Sequence, residues 1–299
     1  MSTLEREQDN RYRVVDVFTQ HPLEGNPLAV FPGSLALDAV TMQRIARELN
    51  LAETVFILRP TREDCIARLR IFTPLKEMRF AGHPTIGAAF VLLDEGVVGT
   101  KESFFVEEEV GPVAVRVESG APPMLWLETP RIDVGRCYDP QLCADVLGLQ
   151  LTDLLDVTPQ LLTAGNPTVY VAVRDREAVD RAWLDLSGMR RLRGADAEYI
   201  CVFVFTPTPE GAYSRMFSPE YGIPEDPATG SSTGPLASFM MRHGLVSNAA
   251  GTRFVSEQGT KMGRRSLLHV HVRGDSGVTG IEVGGHVAPL VVASMRLPA

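Results

Sequence analysis

The chain has 299 residues, 44% apolar and 22% charged, which is enough apolar material for one large domain or two smaller ones. Its formal net charge of -8 argues against a nucleic-acid partner, whose footprint would be a basic face. Cys65, Cys137, Cys143 and Cys201 form no CxxC pair, so neither a zinc ribbon nor a redox motif is indicated and free thiols are expected.

Met1 to Asn10 are polar and mixed in charge and lack the apolar run of a secretory signal. They read as a loose tail, and cytoplasmic residence is expected. An alternating strand is predicted at Arg13 to Phe18, then a Gly25-Asn26-Pro27 turn and a second strand through Leu28 to Phe31. Asp38 to Leu49 has helical apolar spacing at Met42, Ile45, Ala46 and Leu49. Strands at Thr54 to Leu58 and Ala67 to Phe72 lead to a helix at Ile86 to Leu93 that has no polar face and must be buried. Pro84 suits its first turn and Gly96 a left-handed C-terminal cap. This densest apolar run is far shorter than the roughly 20 residues a bilayer span requires, so no membrane partner is expected. Strands at Val113 to Val117 and Met124 to Thr129 follow. Ala121 to Pro123 and the Pro130 region mark a boundary between halves 1–129 and 130–299.

The second half repeats the first. Gly25-Asn26-Pro27 returns as Gly165-Asn166-Pro167, an offset of 140 (from 25 to 165), and Arg70-Ile71-Phe72-Thr73-Pro74 returns as Arg215-Met216-Phe217-Ser218-Pro219, an offset of 145 (from 70 to 215). Two matches in one order at nearly one offset indicate an internal duplication. A strand at 168–173 precedes a helix near Arg176 to Leu184, with Val179, Ala182 and Trp183 as its apolar positions. Strands at Tyr199 to Thr206 and Tyr213 to Phe217 lead to a second helix, apolar or small nearly all round, at Pro235 to Met241, ended by Gly244. Leu267 to Arg273 and Val287 to Met295 read as strands. The simplest arrangement is a strand-rich sheet around one buried helix, made twice.

A buried helix opening at a Gly-rich loop offers unpaired N–H groups and the positive end of its dipole to an anion. Phe80-Ala81-Gly82-His83-Pro84-Thr85-Ile86-Gly87 is one such start and Glu225-Asp226-Pro227-Ala228-Thr229-Gly230-Ser231-Ser232 the other. If the halves face each other, the two loops frame one cleft suited to a carboxylate-bearing small molecule. Taken alone, Asp226-Pro227 and Thr229-Gly230-Ser231 are also ordinary capping and turn material, and His83 also fits a satisfied loop histidine. Glu53 precedes an apolar strand, as Glu198 does in the duplicate half, and position by itself does not choose between them. A carboxylate beside apolar walls is raised toward neutrality, as an acid/base group requires.

With these stretches the sequence resembles the phenazine-biosynthesis (PhzF-like) family, relatives of diaminopimelate epimerase. The likeness runs through Asp16-Val17-Phe18 to Gly25-Asn26-Pro27-Leu28-Ala29-Val30, Leu51-Ala52-Glu53-Thr54-Val55-Phe56, the Phe80 to Gly87 loop, Gly222-Ile223-Pro224 with the Glu225 to Ser231 loop, and near the end Gln258-Gly259 and Met262-Gly263-Arg264. The resemblance implies an α+β fold of two pseudo-symmetric domains, each a barrel-like, mostly antiparallel sheet around a central helix. It implies a homodimer and a cofactor-independent isomerase, with Glu53 shuttling a proton and His83, Asp226 and Ser231 holding substrate or assisting. Gly82, Thr229, Gly230 and Ser232 complete the expected substrate-binding set, Glu198 is structural, and no metal is expected. The related epimerases carry two cysteines at the helix starts; here neither loop has one, which disfavours two-thiol chemistry. Arg79 departs from the small or apolar residue many relatives have there.

Two other functions fit the same residues: a racemase or epimerase using Glu53 and Asp226 on opposite faces of an amino or hydroxy acid, and a non-catalytic ligand-binding protein. His269 and His271 alternate on one strand but lack a third local ligand for a metal. Arg190-Arg191-Leu192-Arg193 reads as a solvated loop, and Gly284-Gly285-His286 as a turn.

Overall fold

In the computed structural model, which describes residues 11–33, 37–194, 199–275 and 278–296, strands β1 (Arg11–Val17) and β2 (Asn26–Phe31) pair antiparallel. Gly25 permits the return between them. Its φ of 67° is left-handed, and a Cβ there would collide with the Val17 carbonyl oxygen, so only glycine fits. Helix α1 (Ala39–Leu49) follows, capped by Asp38, whose carboxylate accepts the Thr41 N–H at 2.7 Å. Then come β3 (Glu53–Leu58), β4 (Ala67–Phe72), the short β5 (Glu77–Met78) and helix α2 (Gly82–Asp94). Strands β6 (Ser103–Glu108), β7 (Gly111–Glu118) and β8 (Met124–Glu128) end this run.

The run then repeats. Strand β9 (Asp133–Cys137) and helix α3 (Pro140–Val146) precede β10 (Gln160–Thr163), β11 (Thr168–Ala172), α4 (Arg176–Arg181), α5 (Leu186–Arg193), β12 (Cys201–Thr208), β13 (Gly211–Ser218) and β14 (Ile223–Asp226). Helix α6 (Gly230–Arg242) and strands β15 (Arg253–Gln258), β16 (Ser266–Asp275), β17 (Val278–Gly285) and β18 (Val287–Ser294) complete the chain.

The pairing pattern matches in the two runs. β2 lies parallel to β3 as β11 does to β12, β3 antiparallel to β4 as β12 to β13, and β4 parallel to β6 as β13 to β15. Antiparallel β6–β7 corresponds to β15–β16. The structure divides into units Met1–Glu128 with Gly284–Ala299, and Thr129–Val283. A single cut at 129/130 is therefore corrected. Strand β18 pairs with β1, and β9 with β10, so the last strand of the chain belongs to the sheet of the first unit. Ala121 to Pro123 lies between β7 and β8, inside the first unit, and does not mark the boundary.

In the first unit α2 packs on β1, β2, β3, β4, β8 and β18, so the sheet curls around it. Its residues from Gly82 to Leu92 are all buried, as expected of a helix without a polar face. Gly87 lets it approach the sheet, because a Cβ there would strike the Leu28 side chain. On the other sheet face Ala29, Phe31, Phe56 and Phe72 meet Met42, Ile45 and Ala46 of α1, with Phe31 and Phe56 stacked at 4.9 Å. Strand β2 is thus buried on both faces, which explains its unbroken apolar run. The second unit is built alike: Tyr170, Phe203 and Phe205 pack with Leu236, Phe239 and Met240 of α6, and Val169, Val171, Val202 and Val204 face the core that holds Ala178, Val179, Met189 and Leu192.

Three local expectations are corrected. The helix near Arg176 to Leu184 ends at Arg181 and leaves Trp183 59% exposed. The Arg190 to Arg193 stretch is the last turn of α5, because Asp185 caps the helix through Ser187 and Gly188 and Met189 and Leu192 are buried. Gly284 and Gly285 end β17, where glycine is needed because a Cβ would run into Trp126 and Phe18. Met1 to Asn10 and Glu198 lie outside the described residues.

Candidate functional site

Glu53 opens β3, opposite Leu28 in the parallel register with β2, and is 8% exposed. Parallel pairing with the interior strand β2 draws the carboxyl inward, where a bare strand end would leave it in water. Its Oε2 lies 3.2 Å from His83 Nε2, although the contact meets hydrogen-bond geometry at neither atom. On the far side of the imidazole, the Asn26 carboxamide nitrogen stands 3.3 Å from Nδ1. A carboxamide N–H can only donate, so Nδ1 accepts and Nε2 carries the ring proton toward Glu53. Burial pushes the His83 pKa down to about 3, so the ring is neutral in the physiological range.

His83 is the second residue of α2. The preceding Ala81 supplies no side-chain cap, and Pro84 has no N–H. The amides of Gly82 and His83 are therefore the donors that the helix start presents. Behind them Glu108, the last residue of β6, lies 2.5 Å from Thr85 Oγ1, which is 2.7 Å from the Ala81 carbonyl oxygen. Burial pushes Glu108 up to about 8.

The start of α6 repeats these positions with different chemistry. Ser231 stands where His83 stands, and Asn166 donates to Ser231 Oγ at 3.1 Å. Thr229 Oγ1 donates to Asp226 Oδ2 at 2.5 Å. Gln258 accepts the Thr229 N–H at 3.2 Å and donates to the Asp226 carbonyl at 2.6 Å and to Thr229 Oγ1 at 3.1 Å. The Ser232 hydroxyl lies 3.2 Å from Thr168 Oγ1, and its carbonyl receives the Tyr170 hydroxyl at 2.7 Å. Asp226 and Thr229 are buried, whereas Gly230 and Ser231 are half-buried.

The structure thus brings together Glu53, Gly82 and His83 in the first unit, and Asp226, Thr229, Gly230, Ser231 and Ser232 in the second. Sequence reasoning missed Asn26, Asn166, Gln258 and Glu108 as participants. The repeated Gly-Asn-Pro turn was the signal for the first two, since a duplicated asparagine between glycine and proline is more than turn chemistry requires. Arg79 is 73% exposed at its side chain and pairs with Glu109 at 3.0 Å. His271 pairs with Glu282 at 3.3 Å, and among the described residues no cluster of three His, Cys, Asp or Glu side chains is placed to hold a metal. No helix of the described residues is long and apolar enough to cross a membrane.

Residues 15–293 match the family model described as phenazine biosynthesis-like protein. The chain is 34% identical over 282 residues to a trans-2,3-dihydro-3-hydroxyanthranilate isomerase of Pseudomonas aeruginosa, covering 93% of this chain and 96% of that one. Among solved structures it is similar to a predicted epimerase from Pseudomonas aeruginosa, with a TM-score of 0.80, 33% identity, and coverage of 96% and 99%. It shares the fold of a PhzF-family phenazine biosynthesis protein from Bacillus anthracis, with a TM-score of 0.86, 23% identity and the same coverage. A match across nearly the whole chain, joined to the duplicated α+β architecture, makes this protein a member of the phenazine biosynthesis-like family and an isomerase.

Proposed function

We propose that the protein is a cofactor-independent isomerase that moves a proton along a small unsaturated carboxylate, with Glu53 as the single acid/base group. The observation that carries the reading is the buried contact of Glu53 with a neutral, Nε2-protonated His83. In this reading the Glu53 carboxylate takes a proton from an sp³ carbon of the substrate. The electron pair left behind delocalises through the adjacent double bond, and Glu53 returns the proton to the far carbon of the allylic system. No electrons leave the substrate, and the enzyme ends in its starting protonation state. The His83 N–H supports the negative form of Glu53, while the Gly82 and His83 amides receive charge that develops on the substrate carboxylate. In the second unit, the start of α6 carries donors of the same kind, at Thr229, Gly230, Ser231 and Ser232, and a carboxyl at Asp226.

The compound named for the Pseudomonas relative, trans-2,3-dihydro-3-hydroxyanthranilate, is the natural first probe, alongside a panel of unsaturated cyclic and amino-acid carboxylates. Wild type and Glu53→Gln are incubated with each in heavy water and followed by proton NMR. Turnover by wild type and a loss of about 10²- to 10⁴-fold in the variant are expected for removal of a general acid/base. Equal turnover by both would remove Glu53 from the chemistry. Inversion at a stereocentre with complete solvent exchange would favour a two-base racemase using Asp226.

A further inference from the structure

Glu108 is 4% exposed and has no part in the chemistry proposed above. Its Oε1 lies 2.5 Å from Thr85 Oγ1, while that hydroxyl is 2.7 Å from the Ala81 carbonyl oxygen, and its Oε2 is buried with no hydrogen-bond partner. A threonine hydroxyl carries one proton and a carbonyl can only accept. That single proton serves one of the two oxygens at a time, so when it goes to Ala81 the short contact with Glu108 is made by a proton on the glutamate.

The duplicate unit gives an independent observation. Gln258 ends β15 as Glu108 ends β6. It is fully buried and accepts the N–H of Thr229, the residue before α6. Thr233 donates to the Thr229 carbonyl at 3.0 Å as Thr85 does to Ala81. Gln258 also donates, to Thr229 Oγ1. Both places thus hold a buried side chain at the strand end beside the start of a central helix, and in the second copy that side chain is a permanently neutral donor and acceptor.

We propose that Glu108 is a positioning residue that clamps the start of α2 as a neutral carboxylic acid, donating to the Thr85 hydroxyl while Thr85 donates to the Ala81 carbonyl, and that loss of its proton loosens the Gly82–His83 segment. Once ionised, Glu108 can only accept. Thr85 must then turn its one proton to the carboxylate and abandon the Ala81 carbonyl. Among the described residues no charged side chain pairs with Glu108. Glu107 on the same strand turns to the opposite face, toward Thr61 and Arg68, Glu109 pairs with Arg79, the strand partner on β7 is Gly111, and His83 on α2 is neutral. The protonation stands on its own; its importance for turnover rests on the reading of Gly82 and His83 as site residues.

The test compares wild type, Glu108→Gln and Glu108→Ala. Infrared difference spectra at pH 6 should show a carboxylic-acid C=O band in wild type that is missing in Glu108→Gln and titrates near pH 8. The NMR amide signals of Gly82 and His83 should move with the same midpoint in wild type and stay still in Glu108→Gln. With a substrate in hand, Glu108→Ala should lose about tenfold in turnover, and Glu108→Gln should restore it while abolishing the alkaline limb. Absence of the band at pH 6 would overturn the neutral acid whatever the activity. A band without matching movement at Gly82 and His83 would overturn the clamp. Neither result would touch the role proposed for Glu53.

Discussion

Asn26 holds His83 by its Nδ1, with the carboxamide nitrogen 3.3 Å away, and so turns the protonated Nε2 toward Glu53. Both residues are buried, so neither contact is shared with bulk water. A residue of the first strand pair thereby sets the tautomer of a residue on the central helix.

Replacing Asn26 by Leu leaves Nδ1 buried without a donor, which is expected to cost about 1–3 kcal/mol of stability and to release the tautomer. Asn26→Asp places a carboxylate beside Nδ1 and is expected to draw the proton there and raise the His83 pKa. Nitrogen-15 NMR of the imidazole reads both effects. An Nδ1-protonated ring in the wild-type protein would contradict the arrangement.

Gly25→Ala combines a left-handed φ with a backbone collision against Val17. Gly96→Ala has the same kind of φ with nothing within 4 Å of the new methyl. The second is expected to cost about 1–2 kcal/mol, the strain of a left-handed residue, and the first clearly more, as overpacking adds to it. Urea unfolding of the two variants measures the difference; equal costs would mean that the turn before Asn26 relaxes freely.

Stability is expected to decline on both sides of mild acidity. His83 stays neutral in the folded chain down to about pH 3, while the unfolded chain takes up a proton from about 6.5, so its contribution is lost as the pH falls from 6.5 toward 3. Glu108 keeps its proton up to about pH 8, while the unfolded chain releases it from about 4.5, so its contribution is lost as the pH rises from 4.5 toward 8. Between 4.5 and 6.5 the two slopes oppose each other. Relative to wild type, Glu108→Gln should gain about 1.4 kcal/mol per pH unit across the 4.5–8 window, and a pH-independent difference would count against the buried acid.

Much of this architecture is written in the sequence, because duplication preserves spacing. The Gly-Asn-Pro and Arg-x-Phe-x-Pro repeats anticipated strands that pair in the same pattern in both units, and helices α2 and α6 were legible because neither has a polar face. The return of β18 to pair with β1 was not legible, since a strand's sequence does not say which sheet edge receives it. Trp183 was misread because period alone does not reveal that the helix stops at Arg181. Glu108 sits in the run Glu107-Glu108-Glu109, which reads as a solvated charge cluster. Glu107 and Glu108 are both buried, on opposite faces of the strand, while Glu109 is exposed, and a run of identical charges hides which one turns toward α2.

The central claim is that one carboxyl both takes and returns the migrating hydrogen. A substrate deuterated at the carbon that loses its proton, turned over once in ordinary water, tests it directly by mass spectrometry of the product. Retention of part of the label at the new carbon, with no turnover by Glu53→Gln, is the predicted result. Complete loss of label together with an active Glu53→Gln variant would contradict it.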